Sequence, residues 1–513
     1  MATTPTRRHS GWRLAAGLLV LLGSLAGCSS LPPQVEREPS WSLADGEGSP
    51  LAHLVQASTP AQHAHQSGFR LLADGADALA TRLALIRAAR SSLDLQYFQV
   101  SADASGVQVL DALRAAAERG VRVRLLLDDL HAGEHEARLA ALDRHAQVQV
   151  RLFNPLPARG GSWLQRVLGS LHEFERINRR MHNKLLIADG RIALAGGRNI
   201  GDDYFMRGTV ANFVDMDILA TGPVVAELAA LFDRFWNDDT AWPAASLLPD
   251  AGAGAATLAP AHVDAVSFDG SAAQIGHGRL ELHFATARVL ADAPNKASRL
   301  DAPLQRGEAM AQSLALLSAA RSDVTIASPY FVPGQGGLAL MQQAATRGVR
   351  IAVMTNSLGA TDEPLAYRGY RGYRLAMLKM GVRLAELSPV QGEAGQARGA
   401  SRASLGRLHA KLAIVDQRWL LVGSMNMDRR SSRLNTELAL AIDSPALAEE
   451  AASVLRSWAG SNYELRLSPA QDRIEWLAQQ GEQLVVHQAE PHADWLGQWR
   501  LRLMSLLVPE ELL

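Results

Sequence analysis

The strongest constraint on the fold is an internal repeat. Ala88-Ala89-Arg90-Ser91-Ser92-Leu93-Asp94-Leu95-Gln96-Tyr97-Phe98 is answered by Ala319-Ala320-Arg321-Ser322-Asp323-Val324-Thr325-Ile326-Ala327-Ser328-Pro329-Tyr330-Phe331. Both read as the end of a helix running into a strand. After each comes a helical stretch and a second strand, Arg119-Gly120-Val121-Arg122-Val123-Arg124-Leu125-Leu126-Leu127 in one half and Arg347-Gly348-Val349-Arg350-Ile351-Ala352-Val353-Met354 in the other. A glycine closes each helix and a β-branched residue opens each strand, the usual punctuation of a helix-to-strand turn. Strands alternating with helices of this length imply an α/β protein of two similar lobes, each a mixed, largely parallel sheet flanked by helices. Ala, Gly and Pro dominate from Pro249 to Ala261, which marks a linker. The chain thus divides into a first lobe over 61–248, a linker over 249–280 and a second lobe over 281–513 that ends in helices.

The halves also repeat a chemistry. Met181-His182-Asn183-Lys184-Leu185-Leu186-Ile187-Ala188-Asp189 is matched by Leu408-His409-Ala410-Lys411-Leu412-Ala413-Ile414-Val415-Asp416. In a strand, alternate side chains share a face, so His182 and Lys184 are presented together, as are His409 and Lys411. A turn and another strand follow each: Ile192-Ala193-Leu194-Ala195-Gly196-Gly197-Arg198-Asn199 and Leu420-Leu421-Val422-Gly423-Ser424-Met425-Asn426. These glycines permit close backbone approach, and Asn199 and Asn426 can donate amide hydrogen bonds to an oxyanion. One His-x-Lys pair alone is more often a surface strand with solvated charges; two complete copies in matching contexts point to a site. A phosphodiester suits the set. Its nonbridging oxygens need cationic and amide donors, one group must attack phosphorus, and another must protonate the leaving alkoxide. Two His, two Lys and two Asn supply those roles with no metal and no cofactor. A nucleophilic histidine must also be held in one tautomer by a carboxylate on its other ring nitrogen. Asp215 and Glu437 are the candidates.

Charge narrows the substrate. Lys and Arg number 51 against 52 Asp and Glu in 513 residues, so no net field gathers a polyanion. No basic run is interleaved with aromatics, and a nucleic-acid partner is not expected. Hydrophobic residues make up 48% of the chain, enough for large cores and more than one domain. The single cysteine excludes an intramolecular disulfide and a cysteine-based metal cluster.

The paired His-x-Lys-x4-Asp motif followed by Gly-Ser-x-Asn resembles the phospholipase D superfamily, over roughly Gly68 to the C-terminus. The strings Arg179-Arg180-Met181-His182-Asn183-Lys184 and Gly196-Gly197-Arg198-Asn199-Ile200-Gly201-Asp202-Asp203-Tyr204-Phe205 resemble its bacterial cardiolipin synthase C type branch. There, Gly197 stands where the superfamily usually has serine. The resemblance implies an active site at the lobe interface with His182, Lys184, Asp189, His409, Lys411 and Asp416 as its motif residues. His182 would be the nucleophile, forming a phosphohistidine, and His409 the acid and then the base, with the reverse assignment open. Lys184, Lys411, Asn199, Asn426 and the Ser424 hydroxyl would hold the phosphoryl oxygens, while Asp189 and Asp416 would fix the loop and the lysines. The implied activity is a phosphatidyltransferase making cardiolipin from phosphatidylglycerol and a second phospholipid, with phosphatidylethanolamine a candidate. Rival readings are a hydrolase with water as acceptor, a periplasmic nuclease, and a lipid-binding envelope lipoprotein with a retired site.

The N-terminus carries Arg7, Arg8 and Arg13, an apolar run from Leu14 to Leu22, then Leu25-Ala26-Gly27-Cys28. This is the layout of a secretory signal, and its last four residues resemble the bacterial lipoprotein signal. Residues 1–27 would be removed and Cys28 lipidated, anchoring the chain in the cell envelope, at the outer membrane facing the periplasm. Residues 28–60 read as a tether to the folded body. Between Arg159 and His172, apolar residues at near-helical spacing read equally as a lip dipping into lipid or as a buried amphipathic helix. Arg368, Tyr370, Arg371 and Arg374 read equally as a headgroup contact or a solvated face. Trp495, Trp499, Leu503 and Leu507 fall on one helical face, which reads more often as packing on the body than as an interfacial contact. His63, His65, His131, His135 and His145 lack ligand spacing and read as mostly solvated.

Overall fold

The computed structural model describes residues 30–32, 36–43, 48–248, 270–298, 305–389, 405–458, 462–470, 472–480 and 483–492. Cys28, most of the 249–280 linker and the Trp495–Leu507 face lie outside them. Twenty strands are described: β1 (Ser67–Leu72), β2 (Ser92–Tyr97), β3 (Arg122–Asp128), β4 (Val148–Phe153), β5 (Leu185–Ala188), β6 (Ile192–Gly196), β7 (Ala211–Val214), β8 (Asp217–Thr221), β9 (Ala241–Pro243), β10 (His283–Ala291), β11 (Asp323–Ala327), β12 (Arg350–Asn356), β13 (Arg383–Leu387), β14 (Leu405–Leu408), β15 (Leu412–Val415), β16 (Trp419–Gly423), β17 (Leu438–Asp443), β18 (Asn462–Leu467), β19 (Ile474–Gln480) and β20 (Gln483–His487).

The repeat appears in three dimensions as two matching runs of strands. In the first lobe β4-β3-β2-β5-β6-β8-β1 lie side by side. In the second, β13-β12-β11-β15-β16-β17-β10 repeat that order. The runs join through antiparallel pairing of β1 with β10, Gly68 opposite Phe284, to make one 18-stranded sheet. Gly68 is required there, because a Cβ would lie 2.7 Å from Thr221 Oγ1 and 2.8 Å from Leu282 Cδ1.

The expected mixed, helix-flanked sheet in two similar lobes is present, with a smaller parallel share than the strand–helix alternation implied. Parallel pairing in this sheet is confined to β2-β3-β4 and β11-β12-β13, the segments joined by crossover helices. β5–β6 and β15–β16 are hairpins closed by short turns, which makes them antiparallel, and the strands beyond them, reached through longer loops, also pair antiparallel.

Helix signals read as expected. Asp74 and Asp103 cap the helices Gly75–Ala88 and Ala104–Glu118 by accepting from Asp77 N–H and Gly106 N–H. Gly120 and Gly348 take φ of 92° and 83° at the helix-to-strand turns. One apolar core runs through both lobes, between the central strands and the helices Pro223–Trp236 and Pro445–Trp458. Each lobe has a further core of its own.

The stretch read as a tether is in part docked. Pro50–Ser58 is a helix that buries Leu51 and Leu54. Residues 36–43 strap the first lobe for an electrostatic reason: Arg124, fully buried on β3, pairs with Asp94 and Asp233 and donates to Ser40 O, while Arg151 donates to Glu38 O. Buried guanidinium groups need acceptors, and the strap's carbonyls supply them. At the far end of the expected linker, Ser271–Gly276 forms a helix against the first lobe, where Asp77 Oδ1 accepts from Ala272 N–H at 3.4 Å.

Candidate active site

The two motifs meet because the lobes exchange backbone. β7 of the first lobe pairs in parallel with β14 of the second, Val214 opposite Leu408, and His409 N–H then donates to Val214 O at 2.8 Å. The reciprocal crossing is shorter. Met181 bridges Thr436, His182 N–H donates to Thr436 O at 3.0 Å, and Thr436 N–H donates to Arg180 O at 2.9 Å. Each crossing ends with one lobe's histidine beside the next residue of the other lobe, which is a carboxylate. His409 Nδ1 lies 2.6 Å from Asp215 Oδ2, and His182 Nδ1 lies 3.0 Å from Glu437 Oε2. Both carboxylates selected from the sequence are therefore in place, each serving the opposite lobe. With Nδ1–H committed to a carboxylate, each imidazole keeps Nε2 available.

The lysines sit beside their histidines as the alternation requires. Lys184 Nζ donates to His182 O at 2.7 Å and lies 5.2 Å from the Phe98 ring; Lys411 Nζ donates to His409 O. The motif itself is extended chain leading into β5 and β15, one step before ladder pairing begins. All four side chains are buried, and burial sets their protonation. It pushes His182 down to about 4, aided by the lysines and opposed by Glu437. It also lowers His409, again against its carboxylate. Lys411 is pushed down to about 8 and Lys184 well below the usual lysine range. Burial alone would raise Asp215, but His409, Lys411 and Arg198 outweigh it and hold it at about 2. Glu437 is likewise lowered, by His182, Lys184 and Ser424.

The chain is similar to known proteins along both lobes. The family model described as "Cardiolipin synthase, PLD-like domain" matches residues 83–236 and 314–458, one copy in each lobe. Cardiolipin synthase C of Escherichia coli (strain K12) is 37% identical over 481 residues, covering 90% of this chain and all of that protein. The chain belongs to the phospholipase D superfamily, in its cardiolipin synthase C branch. Within this family, cardiolipin synthase A of Pseudomonas fluorescens (strain SBW25) is 28% identical over 387 residues, 75% of this chain and 67% of that one. The fold is also similar to that of phosphatidylserine synthase of Haemophilus influenzae, with a TM-score of 0.55 at 13% identity, covering 88% of this chain and 93% of that one.

Two departures from the expected phospholipase D site concern the Gly-Ser-x-Asn turns. Ser424 was expected to touch phosphate. Its hydroxyl instead donates to Glu437, accepts from Leu438 N–H and is fully buried; it positions the carboxylate behind His182. At the matching place in the first lobe, a Cβ on Gly197 would lie 2.3 Å from Asp215 Oδ1. The missing serine is thus explained by the carboxylate that occupies its space.

Asp189 and Asp416, the last residues of the two motifs, are not at the chemistry. Asp189 accepts from the backbone N–H groups of Arg90, Ser91 and Ser92, and Asp416 from those of Arg321, Ser322 and Asp323. Each sits in the left-handed region, φ 51° and 53°, at the end of its strand away from the histidine. Three N–H donors consume each carboxylate, so its role is to fasten the helix-to-strand turn where the sequence repeat begins. It does not touch the motif lysine.

Asn199 Nδ2 lies 2.8 Å from Tyr204 Oη, and the Oδ1 atoms of both Asn199 and Asn426 are buried without a protein partner. Turning the Asn199 amide lets Tyr204 donate to Oδ1 and presents Nδ2 as a free donor; the heavy-atom geometry is the same either way.

Several neighbours escaped the sequence reading. Phe98 meets His182 edge-on at 5.1 Å, and Tyr204 and Phe213 lie 5.1 and 5.0 Å from His409. Phe98 follows β2 at the end of the first repeat string, and Tyr204 stood in the quoted branch string; nothing in their spacing marked them. Arg180 pairs with Asp128, whose other oxygen accepts from Met181 N–H, and so fixes the approach to His182. His135 is buried and His131 half-buried, instead of solvated. His131 stands edge-on to Phe98 at 5.0 Å and is held down to about 4 by burial and by Arg180, Lys184 and Arg166. Arg374 and Tyr370 are not headgroup contacts, since Arg374 is buried against Glu386 and Glu490 and Tyr370 is buried beside it; Arg368 and Arg371 of that stretch are exposed, Arg371 pairing with Glu490 at 3.3 Å.

Proposed function

We propose that this protein is a phosphatidyltransferase that makes cardiolipin from phosphatidylglycerol and a second phospholipid through a phosphohistidine intermediate. The observation that carries the reading is the pair of histidines, each tied at Nδ1 to the other lobe's carboxylate, in one site with two lysines and two asparagines.

His182 Nε2 attacks the phosphorus of the donor lipid and the phosphorus–oxygen bond to the headgroup breaks. His409 gives its proton to the departing oxygen, leaving phosphatidyl on His182. The headgroup leaves, a hydroxyl of a second phosphatidylglycerol takes its place, His409 removes that proton, and the new alkoxide displaces His182 to form cardiolipin. Lys184, Lys411, Asn199 and Asn426 neutralise the phosphoryl oxygens as charge builds on them. Phosphatidylethanolamine serves as donor by the same steps, with ethanolamine leaving.

The carboxylates support this division of labour. Glu437 is shared among His182, Ser424 and Ser431, which disperses its charge. Among the described residues Asp215 accepts from His409 and from Met216 N–H. When the phosphodiester anion enters and raises both imidazoles, His409 beside the less-shared carboxylate is the better proton holder, and His182 stays neutral and nucleophilic. The chain is placed in the bacterial envelope by a lipid on Cys28, at the outer membrane facing the periplasm, after removal of residues 1–27. No helix among the described residues is long and apolar enough to cross a membrane.

The test is mass spectrometry of lipid products from vesicles of phosphatidylglycerol with and without phosphatidylethanolamine. Cardiolipin from the wild type and none from His182→Ala is the expected result. Phosphatidic acid alone would make the protein a hydrolase, and unchanged lipid would reject phosphatidyl chemistry.

A further inference from the structure

Nine large apolar side chains are exposed among the described residues, and five of them, Trp163, Leu164, Leu168, Leu171 and Phe174, fall within twelve consecutive positions. The first three belong to the helix Trp163–Gly169, which is capped at Ser162 by a reciprocal bond with Gln165 and so is a formed helix, not a frayed loop. Its polarity is reversed. The one charged residue of this helix, Arg166, is 2% exposed, while Trp163, Leu164 and Leu168 are 52%, 55% and 56% exposed. A helix on a water-bathed protein turns its apolar stripe inward; this one turns it outward and is held by its arginine.

The hold is specific. Arg166 Nη2 donates to the Asp129 carboxylate at 3.1 Å, and Arg159 pairs with the same carboxylate at 2.7 Å. A Cβ on Gly133 would lie 2.0 Å from Arg166 Nη1, so the loop leaves room for the guanidinium. That loop also lines the catalytic side. Asp128 holds Arg180 and Met181 N–H, and His131 packs on Phe98, which packs on His182. The exposed apolar segment is thus rooted in the residues that border the nucleophile. Val210, 71% exposed, immediately precedes β7, the strand that leads to Asp215, the carboxylate behind His409.

We propose that residues 163–174 form a lip that inserts into the apolar edge of a phospholipid bilayer beside the catalytic cleft, so that a lipid headgroup passes to the histidines while its acyl chains stay in the membrane. A bilayer is the occupant favoured because its interface rewards an apolar helix face lying in its plane with a tryptophan at the boundary. The proposal rests on the phospholipid reading above, which draws its substrate from such a surface.

The experiment uses the full chain and vesicles of phosphatidylglycerol and phosphatidylethanolamine with brominated acyl chains. Tryptophan emission is compared between wild type and Trp163→Phe. Insertion predicts a quenched component in the wild type that Trp163→Phe lacks, whatever a lipid on Cys28 contributes and whether or not lipid turns over. In parallel, Leu164→Ser/Leu168→Ser should lower turnover of vesicle lipid at least tenfold and leave turnover of monomeric short-chain phosphatidylglycerol within twofold. Identical quenching in wild type and Trp163→Phe, or equal loss on both substrates, would overturn the proposal; the first would leave a protein partner as the occupant of the patch. Absence of phosphatidyl transfer with the quenching difference intact would reject the proposed function and keep the lip.

Discussion

The two halves of the site differ most where their backbones agree best. Behind His182 stands Glu437, fed by the hydroxyls of Ser424 and Ser431; behind His409 stands Asp215, bonded more closely and crowded against Gly197. The strand order, the crossings and the turns are repeated, but the longer carboxylate takes a serine at its side and the shorter one excludes it. A duplicated fold can thus deliver two histidines to one phosphorus and still make them unequal. The inequality lies in how many donors share each carboxylate, one layer behind the reacting atoms.

The largest effect should come from the histidines. His182→Ala should remove transfer altogether. His409→Ala should cost roughly 10²–10⁴-fold, the range for a general acid and base, but still permit labelling of His182 by a donor with a good leaving group. Equal silence of both variants in that labelling would erase the distinction between the lobes. Next come the carboxylates: Asp215→Asn should lose roughly 10²-fold or more in kcat and Glu437→Gln about 10–100-fold, with lipid KM little changed in either. A reversed ranking in kinetic measurements would reverse the assignment of nucleophile and acid.

The pH profile sharpens the comparison further. His182, held down to about 4, must be neutral to attack, so activity should rise as pH passes that value. His409, lowered by burial, must hold a proton to act as the acid, and Lys411, held down to about 8, must be charged to neutralise a phosphoryl oxygen, so activity should fall as pH rises through the histidine's range and fall again near that of the lysine. Lys411→Arg, which keeps its charge, should remove the higher of the two falls; a profile unchanged in that variant would assign the upper fall to another group.

Smaller effects test the turns. Gly197→Ser should lower kcat about tenfold by displacing Asp215, whereas Ser424→Gly should cost a similar amount by leaving Glu437 one donor short, at about 1–2 kcal/mol. Asp189→Ala should leave kcat per folded molecule near the wild-type value while lowering stability by about 1–3 kcal/mol, measured by denaturant unfolding.

Much of this was legible in the sequence because function and repeat coincide. The His-x-Lys alternation fixed a shared face, and the doubled glycine punctuation marked the helix-to-strand turns before it, though not the antiparallel order of the strands that follow. The need for a tautomer-holding carboxylate led to Asp215 and Glu437, yet not to their crossing, since which lobe serves which depends on β7 reaching β14. Ser424 was placed at the phosphate and the motif aspartates at the lysines by pattern, but hydrogen-bond partners decide such roles, and those are Glu437 and Leu438 for the serine and the backbone from Arg90 and from Arg321 for the aspartates. The strap at 36–43 hid for a related reason: its Pro- and Ser-rich composition resembles a tether, while its order is imposed by buried arginines on distant strands.

The central claim is that His182 carries the phosphatidyl group. The most direct measurement is mass spectrometry, under alkaline conditions that preserve phosphoramidates, of peptides from enzyme quenched during turnover of phosphatidylglycerol. The account expects phosphatidyl on the peptide holding His182, more of it in His409→Ala, and none on the peptide holding His409. Adduct on His409, or none on either histidine while cardiolipin is being made, would contradict it.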